Sequence, residues 1–323
     1  MKEFSGKSYV TVSKDGNGDY KTVQEAVNSV CNGNCNEVVI KIASGTYYEK
    51  ITVDGDKTHI TMLGEDAKTT ILTYDENAGK LQPNGDITST FRTGSLEVLG
   101  NWFYAENLTI ENSYDGISGE GGKQAVACYL LGEHVSFVNC RFIGRQDTLF
   151  TKEGSHYFKD CYIEGDVDFI FGGARAVFEH CTIHSFFNKQ VVHGEKLPNG
   201  YICAPSTSVN QKYGYLFLYC SVEGAFPDNT VYLGRPWHPG LDPYAVGSAV
   251  FMHCELGKHI QEMGWINMGG YLCKNARFFE YENTGAGAKI NDNRRQLTIE
   301  EAYEYSPERV LGWNPNVERG GLQ

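Results

Sequence analysis

The sequence predicts an all-β chain wound into a parallel β-helix, and three observations carry that prediction. First, the segments FYAENLTI, FVNCRFI, YFKDCYI, VFEHCTI, LFLYCSV and VFMHCEL each place an aromatic residue three positions before a small or polar slot. The slot runs Asn107, Cys140, Cys161, Cys181, Cys220, Cys254, at intervals of 33, 21, 20, 39 and 34 residues. Second, a minimal interval near 20, lengthened elsewhere by insertions, is the arithmetic of coils that stack their strands about 4.8 Å apart. Third, no Asn-Gly or Asp-Gly pair separates neighbouring segments at the two-residue spacing that an antiparallel hairpin demands.

The elements follow in chain order. Residues 9–14 (YVTVSK) alternate as a strand does and end at a Gly-Asn-Gly turn. Thr22-Val-Gln-Glu25 is a capping-box signature, predicting a short helix with Val23, Ala26, Val27 and Val30 on one face, ending near Cys31. From Val38 onward, VVIKIASGTYYE, KITV, THITMLGE and TTILTY read as short strands rich in β-branched residues. Insertions near 113–123, 186–212 and 225–247 are expected as long loops walling a groove along the side of the stack. Thr298-Ile-Glu-Glu301 is a second capping box, and the N- and C-terminal helices are expected to cover open sheet edges or ends. With no linker and no change of composition, residues 1–323 read as one domain.

Composition narrows the function. Among 323 residues, 37 glycines and only 9 prolines suit many short strands meeting tight bends. The net charge of −12, without a basic run, argues against nucleic acid as a partner. No apolar run reaches the length of a membrane span. The opening MKEFSGKSYVTV has no signal-peptide core, so either the protein is intracellular or a signal has been removed. Cys140, Cys161, Cys181, Cys220 and Cys254 share one repeat slot and read as small core residues. Cys31 and Cys35, in CNGNC, fit a strained short-loop disulfide or two free thiols equally well.

The chemistry gathers between Phe137 and Gly172. Phe137 and Cys140 recur as Phe158 and Cys161, and Asp147 recurs as Asp168, all 21 residues on. If the coil holds, two carboxylates sit one strand spacing apart, roughly 5 Å. At that distance they cannot both ionise freely, which suits one to be a proton donor and the other a nucleophile or base. Their neighbours Leu149, Phe150, Val167, Phe169 and Phe171 make unpaired carboxylates costly. Arg235, in Leu-Gly-Arg-Pro-Trp, is the natural counter-charge, and Trp237 is a candidate sugar platform or a core residue. Gln124 and Gln146 can donate amide N–H groups to a developing oxyanion. On a straight strand Gln146 and Asp147 face opposite ways, so a bend is expected there. No Gly-x-Ser-x-Gly elbow, HExxH, Cys-x-x-Cys or P-loop is present, so no metal or organic cofactor is expected.

With these residues in hand, the chain closely resembles the pectin methylesterases, the pectinesterase family of carbohydrate esterases. The matching blocks are Gly45-Thr-Tyr-Tyr-Glu49, Gln124-Ala-Val-Ala127, Gly144-Arg-Gln-Asp-Thr-Leu149, Asp168-Phe-Ile-Phe-Gly172 and Leu233-Gly-Arg-Pro-Trp237, in the family's order. The resemblance implies a right-handed parallel β-helix. It implies Asp168 as the nucleophile on a galacturonate methyl ester, and Asp147 as the general acid and then base. It further implies Gln124 and Gln146 as oxyanion donors and Arg235 as partner of the nucleophile. Trp237 would contact substrate and Phe171 the ester methyl. The implied partner is pectin, acted on by a monomer that is secreted, or else cytoplasmic and fed by short oligogalacturonates. Two departures touch subsite detail: Cys128 after Gln-Ala-Val-Ala, and Tyr201-Ile-Cys-Ala-Pro-Ser in place of a Thr-Ala-Gln run. A β-helical pectin depolymerase and a non-catalytic polysaccharide-binding helix are the competing readings, and neither gives a reason for the aspartate pair with an arginine and two glutamines.

Overall fold

The structure is a computed structural model and describes residues 2–4, 7–117, 121–187 and 200–317. Its strands form three sheets, of eleven, eight and seven strands. Successive strands in the chain pass from sheet to sheet, and every ladder pairing between strands is parallel except that of Lys2–Phe4 with Lys7–Val12. One coil runs through Val135–Val138, Arg141–Ile143 and Leu149–Thr151. The next runs through Ser155–Lys159, Tyr162–Gly165 and Val167–Gly172. Between them the register is the same on all three sheets: Phe137 pairs Phe158, Arg141 pairs Tyr162, and Leu149 pairs Ile170. The 21-residue repeat read in the sequence is therefore one full turn of the coil.

The interior is filled by side chains repeated at each turn. Phe137, Phe158, Phe178, Phe217 and Phe251 stack in file with centroid separations of 5.5, 4.8, 4.7 and 4.2 Å. The five slot cysteines are buried free thiols, as expected. Cys31 and Cys35 are exposed and free. One assignment slips by a residue: Arg141 pairs Thr109, so Cys140 lies over buried Leu108, and Asn107 lies over Asn139. The residue before each slot is a turn residue with positive φ, as at Asn107 (59°), Asn139 (49°), Asp160 (53°) and His180 (54°). Asparagine is tolerated in that backbone, and this is why it passed for the slot itself. His180 and His253 belong to the same turn; each stacks on Tyr219 at 5.2 Å along the outer surface.

Both capping boxes form. Helix α1 (Val23–Asn28) turns Val23, Ala26 and Val27 into the core beneath the first coils, closing that end of the stack. The second box opens α2 (Ile299–Ala302), and a separate α3 (Pro307–Leu311) follows behind its own cap at Ser306. Here the expectation needs correction, because α3 covers neither an edge nor an end. It packs on the outer face of the eleven-stranded sheet, against Tyr157, Val177 and Leu216. Arg175 donates to the Leu311 carbonyl at 2.7 Å, and the Trp313 indole N–H to Ser155 Oγ at 2.9 Å. That face carries apolar side chains on both sides of the sheet, so it needed a cover.

The loops set the groove. Two expected insertions each contain a strand of the seven-stranded sheet, Gly200–Pro205 within 186–212 and Val231–Gly234 within 225–247. Residues 188–199, and 118–120 of the insertion at 113–123, lie outside the described residues. A further long excursion, residues 75–95, was not anticipated; it runs from Thr70–Tyr74 to Leu96–Val98 and carries the short helical turn Thr90–Arg92. Described residues of the excursion and of the two later insertions, among them Thr90, Phe91, Ser206, Gln211, Trp237 and Asp242, flank the seven-stranded sheet, which becomes the floor of a trough.

Candidate active site

The site is built on five neighbouring coils of the seven-stranded sheet, whose order places Cys128–Leu130, Leu149–Thr151, Val167–Gly172, Gly200–Pro205 and Val231–Gly234 side by side. Gln124 and Gln146 form a parallel bridge just before the first two strands, fixed by the Ala125 N–H donating to the Gln146 carbonyl at 3.1 Å. The expected bend follows at once. Asp147 has φ 67°, in the left-handed region, and its N–H donates to the Val167 carbonyl at 3.0 Å. That turn breaks strand alternation and lets Gln146 and Asp147 line one cleft.

Asp168 is also left-handed, at φ 50°, and it sits in a register shift: Val167 pairs Tyr201, and the next pair is Ile170 with Cys203. Three residues on one strand thus oppose two on the other, a bulge that re-aims a side chain. Non-glycine residues held this way cost on the order of 1 kcal/mol or more each and persist only where surrounding structure enforces them. Finding two adjacent coils strained at the two carboxylates marks the place as built for something other than stability.

A cleft of about 240 Å³ brings together every residue singled out in the sequence: Gln124, Gln146, Asp147, Asp168, Phe171, Arg235 and Trp237. The carboxylates are nearly buried, at 9% exposure for Asp147 and 6% for Asp168. Arg235 forks Asp168, with Nε donating to Oδ1 at 2.8 Å and Nη2 to Oδ2 at 2.5 Å. No such bond reaches Asp147. Burial pushes both carboxyls up, and the fork draws Asp168 back towards the ionised form. Asp147 is pushed well above the usual carboxylate range by burial and then by the charge of Asp168. The fork thus favours the charged form of Asp168, while the proton is held more readily on Asp147. Asp166, also buried, is pushed up to about 6, chiefly by desolvation.

Beside the carboxylates lies an apolar shelf. Phe171 stacks on Phe150 at 4.3 Å and meets the edge of Trp237 at 5.6 Å, over Val126 and Ala204. Phe91, from the unanticipated excursion, stacks on Phe150 at 5.2 Å. Phe91 and Trp237 also border a second hollow of about 490 Å³, with Tyr129 and Lys152, so the trough continues past the carboxylates. Sequence reasoning missed Thr90, Phe91, Ala204 and Met268 on the cleft wall, and Tyr201, whose ring lies 3.7 Å from the Arg235 guanidinium carbon. Thr90, Phe91 and Met268 come from loops, where no repeat marks them. Tyr201 stands 34 residues after its structural neighbour Val167, too far for the 21-residue offset to flag it. Among the described residues no group of three or more His, Cys, Asp or Glu is arranged to hold a metal ion.

Known proteins share this architecture. A family model described as Pectinesterase matches residues 9–311. Pectinesterase 31 of Arabidopsis thaliana is 38% identical over 319 residues, covering 94% of each chain. Pectinesterase A of Dickeya dadantii is 34% identical, covering 94% of this chain and 90% of its own. Among solved structures, pectin methylesterase PemA from Erwinia chrysanthemi superposes with a TM-score of 0.88 at 32% identity, covering 94% of this chain and 97% of that one. The pectin methylesterase from carrot gives 0.84 at 27% identity over 100% and 98%. These are right-handed parallel β-helices, the hand also expected where parallel strands are joined by crossovers. By these matches over nearly its whole length, the chain belongs to the pectinesterase family of carboxylic ester hydrolases.

Proposed function

We propose that this protein is a pectin methylesterase that hydrolyses galacturonate methyl esters in pectin through an aspartyl acyl-enzyme. The observation that carries the mechanism is the asymmetry of the buried pair: the Arg235 guanidinium forks Asp168 with two hydrogen bonds and, among the described residues, makes none to Asp147. In this reading the Asp168 carboxylate attacks the ester carbonyl carbon, and the oxyanion that forms accepts N–H groups from Gln124 and Gln146. As the tetrahedral species collapses, Asp147 gives its proton to the methoxide oxygen and methanol leaves, with Asp168 now in an anhydride. The ionised Asp147 then takes a proton from water, and the hydroxide adds to the galacturonyl carbon. The anhydride breaks, which releases the galacturonate acid and restores Asp168 as carboxylate and Asp147 as acid.

The shelf of Phe171 and Trp237 supports the choice of substrate. A methyl ester is uncharged and carries a methyl group that the carboxylate lacks, so an apolar wall beside the proposed nucleophile suits it better than the charged product. Relatives solved with bound hexasaccharides agree with a polymer lying in the trough. Pairing across a single coil is too close for the two carboxylates of an inverting glycosidase, which stand about 6.5–9.5 Å apart. Incubation with highly methylated pectin, measuring methanol, reducing ends and unsaturated products, tests the proposal. Methanol alone is the expected result, and new reducing ends without methanol would overturn it.

A further inference from the structure

We propose that Tyr201 is a positioning residue for this reaction, its ring face holding the Arg235 guanidinium in the plane that forks Asp168. The inference rests on the reading of Asp168 as nucleophile. Sheet order makes the need plain. Asp168 lies on Val167–Gly172, Arg235 follows Val231–Gly234, and Gly200–Pro205 runs between them. The strands that carry the two residues therefore stand two spacings apart, about 10 Å, and the arginine arm crosses the coil between them to meet the Asp168 carboxylate. Such an arm has several free torsions, and fixing them opposes the fork.

Tyr201 occupies the intervening coil. Its ring centroid is 3.7 Å from the guanidinium carbon, a face-on cation–π contact beneath the reaching arm. The ring is itself held: Tyr201 pairs Tyr232 in the ladder, and the two rings stack at 6.0 Å and 14°. With one face of the guanidinium on the ring and its edge on Asp168, rotation about the Cδ–Nε bond would break both contacts together. The fork needs both Nε and Nη2 in the carboxylate plane, so a ring fixed below that plane preserves it.

The test uses the full chain with ¹³C-carboxyl aspartate, the Asp168 signal being assigned by its loss in D168N. Wild type, Y201F, Y201L and Y201I are titrated by NMR, and the pH dependence of kcat and KM is measured on methylated pectin. Y201F keeps the ring face and is expected to follow wild type. Leucine and isoleucine, both compatible with a strand, are expected to raise the Asp168 midpoint by about one unit, since the fork loosens. The acid limb of kcat/KM should move up with it, and kcat should fall about 10-fold with KM within about twofold. An Asp168 midpoint unchanged in Y201L and Y201I overturns the inference, as does a Y201F that behaves like them, since that would place the role in the hydroxyl. A wild type that releases no methanol would remove the esterase reading, while the titration would still decide what Tyr201 does to Arg235.

Discussion

Asp147 and Asp168 stand on adjacent coils of one sheet, both in left-handed backbone, at φ 67° and 50°, and only the second is forked by an arginine. The repeat sets their spacing and the turns set their aim. The Arg235 fork favours the charged form of Asp168.

Removing the proposed nucleophile is the most direct check. Asp168→Asn keeps the shape and the Arg235 contact on one oxygen but leaves no anion to attack. Methanol release should fall by about 10⁴-fold or more, with circular dichroism and thermal melting showing an intact fold. Activity within tenfold of wild type would reassign the nucleophile.

Asp147→Asn should uncouple activity from stability. The folded-state pKa of Asp147 is raised, so its stabilising protonated form is fully present below the unfolded value near 3.9 and is lost as pH rises through the folded value. An amide does not titrate, so the variant should match wild type near pH 4 and melt on the order of a few degrees higher at pH 7–8. Methanol release should fall about 10²–10⁴-fold, because no acid meets the departing methoxide. A melting temperature that ignores pH would contradict the assignment of a raised carboxyl.

Gln124→Ala removes one proposed oxyanion donor. The expected loss is about 10²–10³-fold in kcat with little change in KM, since the amide acts on charge that exists only in the transition state. Steady-state kinetics on methylated pectin separate the two constants, and a rise in KM alone would make Gln124 a ground-state binder.

Phe178 is the middle ring of the interior file, with Phe158 at 4.8 Å and Phe217 at 4.7 Å. Phe178→Ala should cost about 3–5 kcal/mol, read as a lowered denaturant midpoint at unchanged slope. It lies on the eleven-stranded sheet, whereas the cleft is built on the seven-stranded one, so the folded fraction should retain its kcat.

Much of this was legible in the chain. A parallel coil must place like residues over like, and so Phe137, Cys140 and Asp147 returned 21 residues later in a register that all three sheets obey. The repeat named Asp147 and Asp168, side-chain chemistry added Gln124, Gln146, Arg235 and Trp237, the family resemblance added Phe171, and all seven line the cleft. Sequence reasoning failed by one residue at Asn107, where a turn asparagine resembled a small core slot. It also read the ends of the chain as lids, whereas α3 lies on a sheet face.

Periodicity by itself determined the coil, the interior file and the pairing of two aspartates, since stacking at a fixed spacing writes itself into sequence as a repeat. What only the tertiary structure decided is what the repeat leaves unwritten. The left-handed turns that aim Asp147 and Asp168, the excursion that brings Phe91 to the wall, and the ring of Tyr201 beneath Arg235 depend on chain segments of unequal length meeting in space. Loop closure and a bulge satisfy no period. They fix where each carboxylate points and which of the two the arginine forks.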